Sequence, residues 1–589
     1  MSYTHPYQDA DFVLRHVVKF DELCADAGLD EANMDLAVAV LEEAGKMGSE
    51  VLAPLNWSGD QAGISLGAYG GQEAPGFKEA YQQFAEAGWL SLGAEPEFGG
   101  QGLPNVLNTA VNEIWQSANI SFALCPMLSM GAMESIGHHA SHELQSTYLP
   151  KMASGEWTGT MNLTEPDAGS DLAAVKTRAV PNGDHYLVTG QKIFITWGDH
   201  QMTENIIHLV LARLPDAPAG VKGISLFVVP KFLLDAEGNP AERNAAHCLS
   251  VEHKLGIHAS PTCVMEFKDA IGYIIGEPNK GLSYMFTMMN HARQAVGLQG
   301  LSISERAYQQ ARVFARERLQ GTRRDGSRIP IIEHPDVRRM LMVMRASNEA
   351  MRALALVAAA EVDRAKHAAD VDAKAQHAGR VELLTPIVKG WLTELSQEMT
   401  YLNIQIHGGM GFIEETGAAQ HYRDARILTI YEGTTGIQAL DFIGRKTLSD
   451  QGAALALYLA EMQVTAEALR ADNNLPASIV EGLESAIERG VMAREWLLKS
   501  ASTDVNLAGS ASVNFLMLFG YLSGGWLMAK EAAVAQAQLA AGEGDAQFLK
   551  NKLITAQFYA EHLLPRTQAH LAAMLAGSET IMGLAEDAF

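Results

Sequence analysis

Glu432 is the residue whose surroundings in the sequence most suggest acid–base chemistry. It follows an apolar run in YRDARILTIYEGTTG and directly precedes Gly433 and Thr434, so a turn is expected here. A carboxylate on such a turn can face an apolar, water-poor cavity, which would raise its pKa until it can remove a weakly acidic C–H proton. The alternative is a helix-capping Glu, and spacing alone favours it because Glu beside Gly is common.

Two further segments precede Glu432 in a region rich in β-branched and aromatic residues. They are GTMNLTEPDAGSDL at 159–172 and GQKIFITWGD at 190–199. By itself, TEPDAGSD could be an ordinary polar loop. Together with the Glu432 turn, and in this order, the segments resemble the acyl-CoA dehydrogenase family over about residues 10–450.

The resemblance implies that both segments contact FAD. Backbone amides and a hydroxyl of the TEP-containing loop would hydrogen-bond the flavin, and Ser170 would reach the acyl-CoA. The implied cofactor positions in the two segments are Met161, Leu163, Thr164, Phe194 and Thr196. For Met161 and Phe194, the alternative is simple packing in the core of a β domain.

Three later residues match family positions that contact FAD across a subunit boundary. Arg318, in ERLQGTRRDGSR, corresponds to the arginine that binds the FAD diphosphate of a neighbouring subunit. Gln405 and Gly409, in YLNIQIHGGMGF, correspond to positions at the adenine half, where glycine lets the backbone approach a phosphate. Contacts of this kind imply a homo-oligomer, with a dimer favoured.

The helix carrying MMNHARQAVGLQG supplies two substrate positions by the same resemblance, Asn290 and Arg293. Some relatives place their catalytic Glu just before this arginine, but here the residue is Ala292, which leaves Glu432 as the base. The Glu432 turn would also present Tyr431 and Gly433 to the substrate and Thr434 to the cofactor.

The implied reaction is α,β-dehydrogenation of an acyl-CoA thioester to a trans-2-enoyl-CoA, with an electron-transfer flavoprotein as electron acceptor. The tail beyond residue 450 resembles long bacterial members of the family, so the substrate is either a fatty acyl-CoA or 3-methylmercaptopropionyl-CoA. Two alternatives are an acyl-CoA oxidase, which would pass electrons to oxygen, and a non-catalytic, nucleic-acid-binding relative.

Composition bears on these alternatives. The 589 residues contain 44 Lys and Arg against 69 Asp and Glu, a formal net charge of −25 that argues against general nucleic-acid binding. The four cysteines are scattered without a CxxC pair or metal-ligand spacing, so we expect reduced, mostly packed thiols and no metal site.

The first residues, MSYTHPYQDADF, lack the basic start and apolar stretch of a secretory signal, so a cytoplasmic location is expected. The strongly apolar segment 515–529 is too short to span a bilayer and contains Ser523, Gly524 and Gly525. We expect a buried helix there, with peripheral membrane contact as the minor alternative.

Periodicity predicts a mainly α protein with a central β domain. Helical spacing dominates the start of the chain, strand-like stretches follow, and helical spacing then returns and continues to the last residue. The predicted domains are an N-terminal helical domain (1–154), a β-barrel-like middle domain (155–275), a helical bundle with the catalytic base (276–448) and an additional C-terminal helical domain (449–589).

Overall fold

The computed structural model describes residues 3–29, 31–67 and 70–589, and it contains two compact units. The first consists mainly of Glu43–Leu103 and Ile114–Ala295, and the second of His5–Glu42, Pro104–Glu113 and Val296–Phe589. The prediction of a mainly α chain with a central β region is confirmed. The division into four domains stays a prediction.

Helices fill the chain before the sheet, as the spacing of apolar residues predicts. Helix α7 starts where the Asn119 side chain accepts a hydrogen bond from the Phe122 amide at 3.1 Å, which caps its first turn. The helices are α1 (Tyr7–Phe12), α2 (Phe20–Asp26), α3 (Met34–Lys46), α4 (Pro54–Ala62), α5 (Phe77–Glu86), α6 (Asn105–Ala118), α7 (Ile120–His139) and α8 (His142–Ala153), and a small hairpin joins β1 (Ser65–Gly67) to β2 (Gly70–Gln72).

A seven-stranded mixed sheet forms the middle of the first unit. Its strand order is β10-β11-β5-β4-β6-β3, with β7 paired to both β11 and β6. Strands β6 and β7 are buried almost throughout, as their near-continuous apolar sequences require. The strands are β3 (Trp157–Asn162), β4 (Arg178–Asn182), β5 (His185–Thr196), β6 (Asn205–Arg213), β7 (Ile224–Pro230), β8 (Phe232–Leu234), β9 (Pro240–Arg243), β10 (Ala246–Val251) and β11 (Thr262–Ile275).

Long helices dominate the remainder of the chain. The elements are α9 (Gly281–Glu317), β12 (Leu319–Thr322), β13 (Arg328–Pro330), α10 (Pro335–His367), α11 (Val371–His407), α12 (Ala418–Ala425), α13 (Thr435–Leu440), α14 (Ala453–Asp472), α15 (Ala477–Ser500), α16 (Leu507–Ala541), α17 (Ala546–Phe558), α18 (Arg566–Leu575) and α19 (Glu579–Met582). Helices α10, α11 and α16 pack against one another, so the C-terminal extension joins the core of the second unit.

The apolar segment 515–529 lies within α16 and is buried, so the prediction of a buried helix is confirmed. By length and composition alone, α7 and α16 could each cross a membrane. Most of the apolar window of each helix is inside the protein, 83% in α7 and 67% in α16, which is typical of core helices.

A buried network of charged residues lies in the second unit. The Arg352 guanidinium pairs with Glu113 and Asp9, and with Glu305 at 3.2 Å. The Lys552 ammonium lies 2.7 Å from Asp9, 2.9 Å from Glu349 and against Glu531. Its members, called the buried network below, are Asp9, Glu113, Glu305, Arg345, Glu349, Arg352, Glu531 and Lys552.

Candidate active site

The loop that follows β3 is bound to strand β5 through its backbone. The Ile193 amide donates to the Thr164 carbonyl at 2.9 Å, and the Lys192 ammonium donates to the Leu163 carbonyl at 3.0 Å. Glu165 and Ala168 close the loop with two reciprocal backbone hydrogen bonds of 3.0 Å. The structure therefore brings the two motifs around residues 163 and 194 together in the first unit.

A fully buried ion pair, Glu165–Lys192, lies beneath this loop, with 2.7 Å between ammonium and carboxylate. Glu165 also accepts hydrogen bonds from the Lys176 and Thr177 amides and from the Thr177 hydroxyl. Burial lowers the pKa of Lys192 to about 8, but Glu165 opposes this effect, so the lysine is mostly charged at neutral pH. The pair fixes the loop to the strand.

Phe194 is 59% exposed and has a left-handed backbone with φ of +60°, which is uncommon for an aromatic residue. The alternative that placed Phe194 in the β-domain core is therefore wrong. Thr196 and Met161 are half-buried at the ends of β5 and β3, and Ser170 is exposed on the loop. An exposed ring on a constrained backbone is a surface on which a flat aromatic ligand can stack.

Asn290 and Arg293 lie in the part of α9 that belongs to the first unit. Asn290 is exposed, whereas Arg293 is buried with its guanidinium 5.9 Å from the centre of the Phe286 ring. Ala292 is also buried in this helix.

Glu432 occupies a turn of unusual backbone geometry in the second unit. Its φ is +54° and that of Gly433 is +91°, so two consecutive residues are left-handed, at a cost that the surroundings must offset. Both carbonyls of the turn accept hydrogen bonds. Gln438 donates to the Glu432 carbonyl at 3.3 Å, and the buried Lys389 ammonium donates to the Gly433 carbonyl at 2.5 Å.

Neighbouring residues also hold this turn. The Tyr431 hydroxyl donates to Gln299, and the pKa of Tyr431 is well above its usual value, first because of burial and then because of the Glu432 charge. The Thr434 side chain accepts from the Ile437 amide at 3.2 Å and caps α13. Glu432 is therefore not the helix cap, and the capping alternative is wrong.

Arg318, Gln405 and Gly409 are exposed near the ends of two helices that pack together in the second unit. The rings of Phe314 and His407 stack at 4.2 Å, which joins the end of α9 to the end of α11. Nothing lies within 4 Å of the place where a side chain on Gly409 would begin, so a ligand can approach its backbone closely.

Four family models match consecutive parts of the chain. They are "Acyl-CoA dehydrogenase, N-terminal domain" at residues 67–156, the corresponding "middle domain" at 160–270 and "C-terminal domain" at 279–448, and "Acetyl-CoA dehydrogenase C-terminal like" at 458–585. The 3-methylmercaptopropionyl-CoA dehydrogenase of Ruegeria pomeroyi is 47% identical over 573 residues, which cover 97% of each chain.

The chain belongs to the acyl-CoA dehydrogenase family. A broad-specificity linear acyl-CoA dehydrogenase of Mycobacterium tuberculosis is 34% identical over an alignment that covers 100% of both chains. The fold matches the Bacillus anthracis acyl-CoA dehydrogenase complexed with FAD, with a TM-score of 0.74, 21% identity and coverage of 93% of this chain and 89% of that one. The protein is thus an FAD-dependent oxidoreductase with the acyl-CoA dehydrogenase fold.

Family motifs predicted the positions of the loop and the turn but not the residues that hold them. Lys192 and Glu165 are within the quoted motifs, and Lys389 is in an apolar part of α11. One signal in the sequence was the position of Lys192, which is four residues after Val188 and so on the same face of the strand. A charged residue on the face of a buried valine predicts a buried partner of opposite charge. The roles of the individual site residues stay predictions.

Proposed function

We propose that this acyl-CoA dehydrogenase converts 3-methylmercaptopropionyl-CoA to its trans-2-enoyl thioester, with Glu432 as the base that removes the α-proton. The relative with 47% identity over 97% of the chain supports the thioether substrate. The relative that acts on linear acyl-CoA thioesters, at 34% identity, supports a straight-chain fatty acyl-CoA as the second candidate.

The observation that carries the assignment of the base is the backbone of the Glu432 turn. Glu432 has a left-handed backbone, and side chains hold both its own carbonyl and that of Gly433. The direction in which its side chain leaves the backbone is therefore fixed, as a general base requires. In this proposal the Glu432 amide donates to the thioester carbonyl and stabilises the enolate-like charge.

The residues present also fit FAD. Phe194 offers an exposed ring, Leu163 and Thr164 lie on the loop held to β5, and Arg318 is an exposed cation suited to a diphosphate. Open space beside Gly409 suits the adenine half. When bound, FAD supplies the acceptor for the β-hydride.

Glu432→Gln is expected to reduce the rate of dehydrogenation by about 10²- to 10⁴-fold, because an amide keeps the shape of the side chain but cannot accept a proton. The measurement is bleaching of the bound flavin after mixing with 3-methylmercaptopropionyl-CoA or butyryl-CoA. Glu415→Gln, at an exposed carboxylate, is the matched control and should react like the wild type. Bleaching of the Glu432 variant at the wild-type rate, with FAD retained, would assign the base elsewhere.

The same assay tests the substrate. The thioether substrate should give a higher kcat/KM than butyryl-CoA, and the reverse order would favour the straight-chain alternative. Electrons should pass to an electron-transfer flavoprotein, so little hydrogen peroxide should form in air. Stoichiometric peroxide would instead identify an acyl-CoA oxidase.

We also propose a cytoplasmic homodimer in which Arg318, Gln405 and Gly409 contact FAD of the neighbouring subunit. Exposed apolar side chains in and before the glycine-rich turn support an interface there, because Phe412 is 84% exposed and Tyr401, Met410 and Ile413 are exposed as well. Light scattering should give at least twice the chain mass, and Arg318→Ala should lose FAD on dialysis. A monomer with a full complement of FAD would contradict the trans contacts.

A further inference from the structure

Two cysteines lie on neighbouring strands of the first unit, and their side chains point to the same side of the sheet. On the antiparallel strands β10 and β11, Cys248 pairs with Met265 and Val251 pairs with Cys263. Because side chains two residues apart on a strand share a face, Cys248, Met265 and Cys263 share one. Cys263 and Met265 are buried in one core cluster, and Cys248 packs against it.

An irregularity in the pairing changes the spacing between these cysteines. The register shifts between Cys248 and Ser250, which is the pattern of a β-bulge with Leu249 as the extra residue. By this pairing, Cys248 and Cys263 are diagonal neighbours across the shifted step of the ladder. The bulge also bends β10 at this step. The Cys248 thiol donates a hydrogen bond to the Ser250 carbonyl at 3.3 Å, and the two thiols are close enough that each shifts the pKa of the other.

The two thiols differ in access and in acidity. Cys263 is fully buried, whereas Cys248 is partly exposed. Interaction with the neighbouring Cys263 thiol lowers the pKa of Cys248 despite the opposing effect of burial, so the Cys248 thiolate forms more readily than that of an ordinary cysteine. Burial raises the pKa of Cys24 to about 12 and also raises that of Cys125, which makes both less reactive.

We propose that Cys248 and Cys263 form an oxidisable dithiol that hydrogen peroxide or an organic hydroperoxide converts to a disulfide. The Cys248 thiolate attacks one peroxide oxygen, the O–O bond breaks, and the released hydroxide or alkoxide is protonated, which leaves a sulfenic acid on Cys248. The Cys263 sulfur then bonds to the Cys248 sulfur and displaces water. Two thiols are oxidised by two electrons in total, and one peroxide molecule is reduced.

The cysteine pair lies next to strand β5, which carries Phe194 and Thr196. Cys263 pairs with Ile195 on β5, between the exposed Phe194 and Thr196. There is little free space behind this segment, because a side chain on Gly198 would begin 2.9 Å from the Cys263 Cβ. A disulfide would therefore fasten β10 to β11 directly behind the strand predicted to contact FAD.

The test uses the full-length holoenzyme treated with one equivalent of hydrogen peroxide. We expect two of the four thiols to be lost, the mass of two hydrogen atoms to disappear, and one peptide pair joined through Cys248 and Cys263. Cys248 should react roughly tenfold faster than Cys24 or Cys125. The treated wild type should also melt at a higher temperature than the treated Cys248→Ser variant, because the cross-link restricts the unfolded chain.

Two variants make the test decisive. Cys248→Ser changes a partly exposed position, so it should fold and keep its three thiols after treatment. The double variant Cys24→Ser, Cys125→Ser should form the disulfide as the wild type does. Retention of all four thiols, a link through Cys24 or Cys125, or added oxygen on Cys248 without a link to Cys263 would each overturn the proposal.

Discussion

The ion pair beneath the β3–β5 loop and the buried network of the second unit show two ways to keep charge inside a protein. Glu165 and Lys192 match one to one, and backbone donors satisfy the remaining capacity of the carboxylate. The buried network contains five carboxylates and three cations, so it has two carboxylates in excess.

The excess is consistent with the pKa directions. Burial raises the pKa of Glu531 to about 8 and also raises that of Glu113, so burial disfavours the charged form of both carboxyls. Burial acts against Asp9 too, but Lys552 and Arg352 keep its pKa well below the usual value. The Glu165–Lys192 pair, with equal and opposite charges, thus holds the loop in place, and we call it the clamp. The stability that the buried network contributes depends instead on pH and on Lys552 from the C-terminal extension.

Lys552→Met should have the largest effect on stability. It leaves Asp9, Glu349 and Glu531 buried without this cation, and breaking a buried pair costs about 3–5 kcal/mol. Chemical denaturation measures the loss, and Lys550→Met, at an exposed position of the same helix, is the matched control. Equal losses of stability in the two variants would show that Lys552 stabilises the protein no more than an exposed lysine does.

Lys192→Met should have a smaller effect, about 1.5–3 kcal/mol, because Glu165 keeps the amides of Lys176 and Thr177 and the Thr177 hydroxyl as donors. It should also weaken FAD retention, since the Leu163 carbonyl loses its donor. Equilibrium dialysis with FAD measures this affinity. Lys176→Met removes only a surface pair with Asp167 and should bind FAD normally; equal weakening would contradict the clamp.

At acid pH, where this carboxyl is protonated in both the folded and the unfolded protein, Glu531→Gln should have the smallest effect of the three variants, and the effect should grow as pH rises. A carboxyl whose folded pKa is raised contributes stability that is complete below its unfolded pKa and is lost as pH rises from about 4.5 to about 8. The wild type should therefore lose up to about 1.4 kcal/mol per pH unit relative to the variant over this range. Comparison with the variant is necessary because buried histidines such as His5, whose pKa burial lowers to about 3, act in the opposite direction.

A parallel pH dependence of the wild type and the Glu531 variant would show that this carboxyl is ionised in the folded protein throughout. The measurement is thermal melting at a series of pH values, with both proteins in the same buffers.

Sequence patterns predicted the order of helices and strands and the turn at Glu432, because these depend on local periodicity and on Gly and Thr at fixed offsets. They did not predict that Thr434 would cap α13 or that Phe194 would have a left-handed backbone, because both depend on a backbone that departs from regular geometry. The charge pairs were missed for another reason. Glu165 and Lys192 are 27 residues apart, and no local pattern joins such partners.

The pairing of Asp9 with Lys552 also limits when the second unit can finish folding during synthesis. The two residues are separated by 543 positions, and a ribosome adds about 5–20 residues per second, so Asp9 is synthesised roughly 30–110 s before its lysine. During that interval the first helix cannot bury its carboxylate beside this cation. The final assembly of the second unit must therefore follow synthesis of α17, and ribosome-bound chains that stop before Lys552 should remain sensitive to protease in α1.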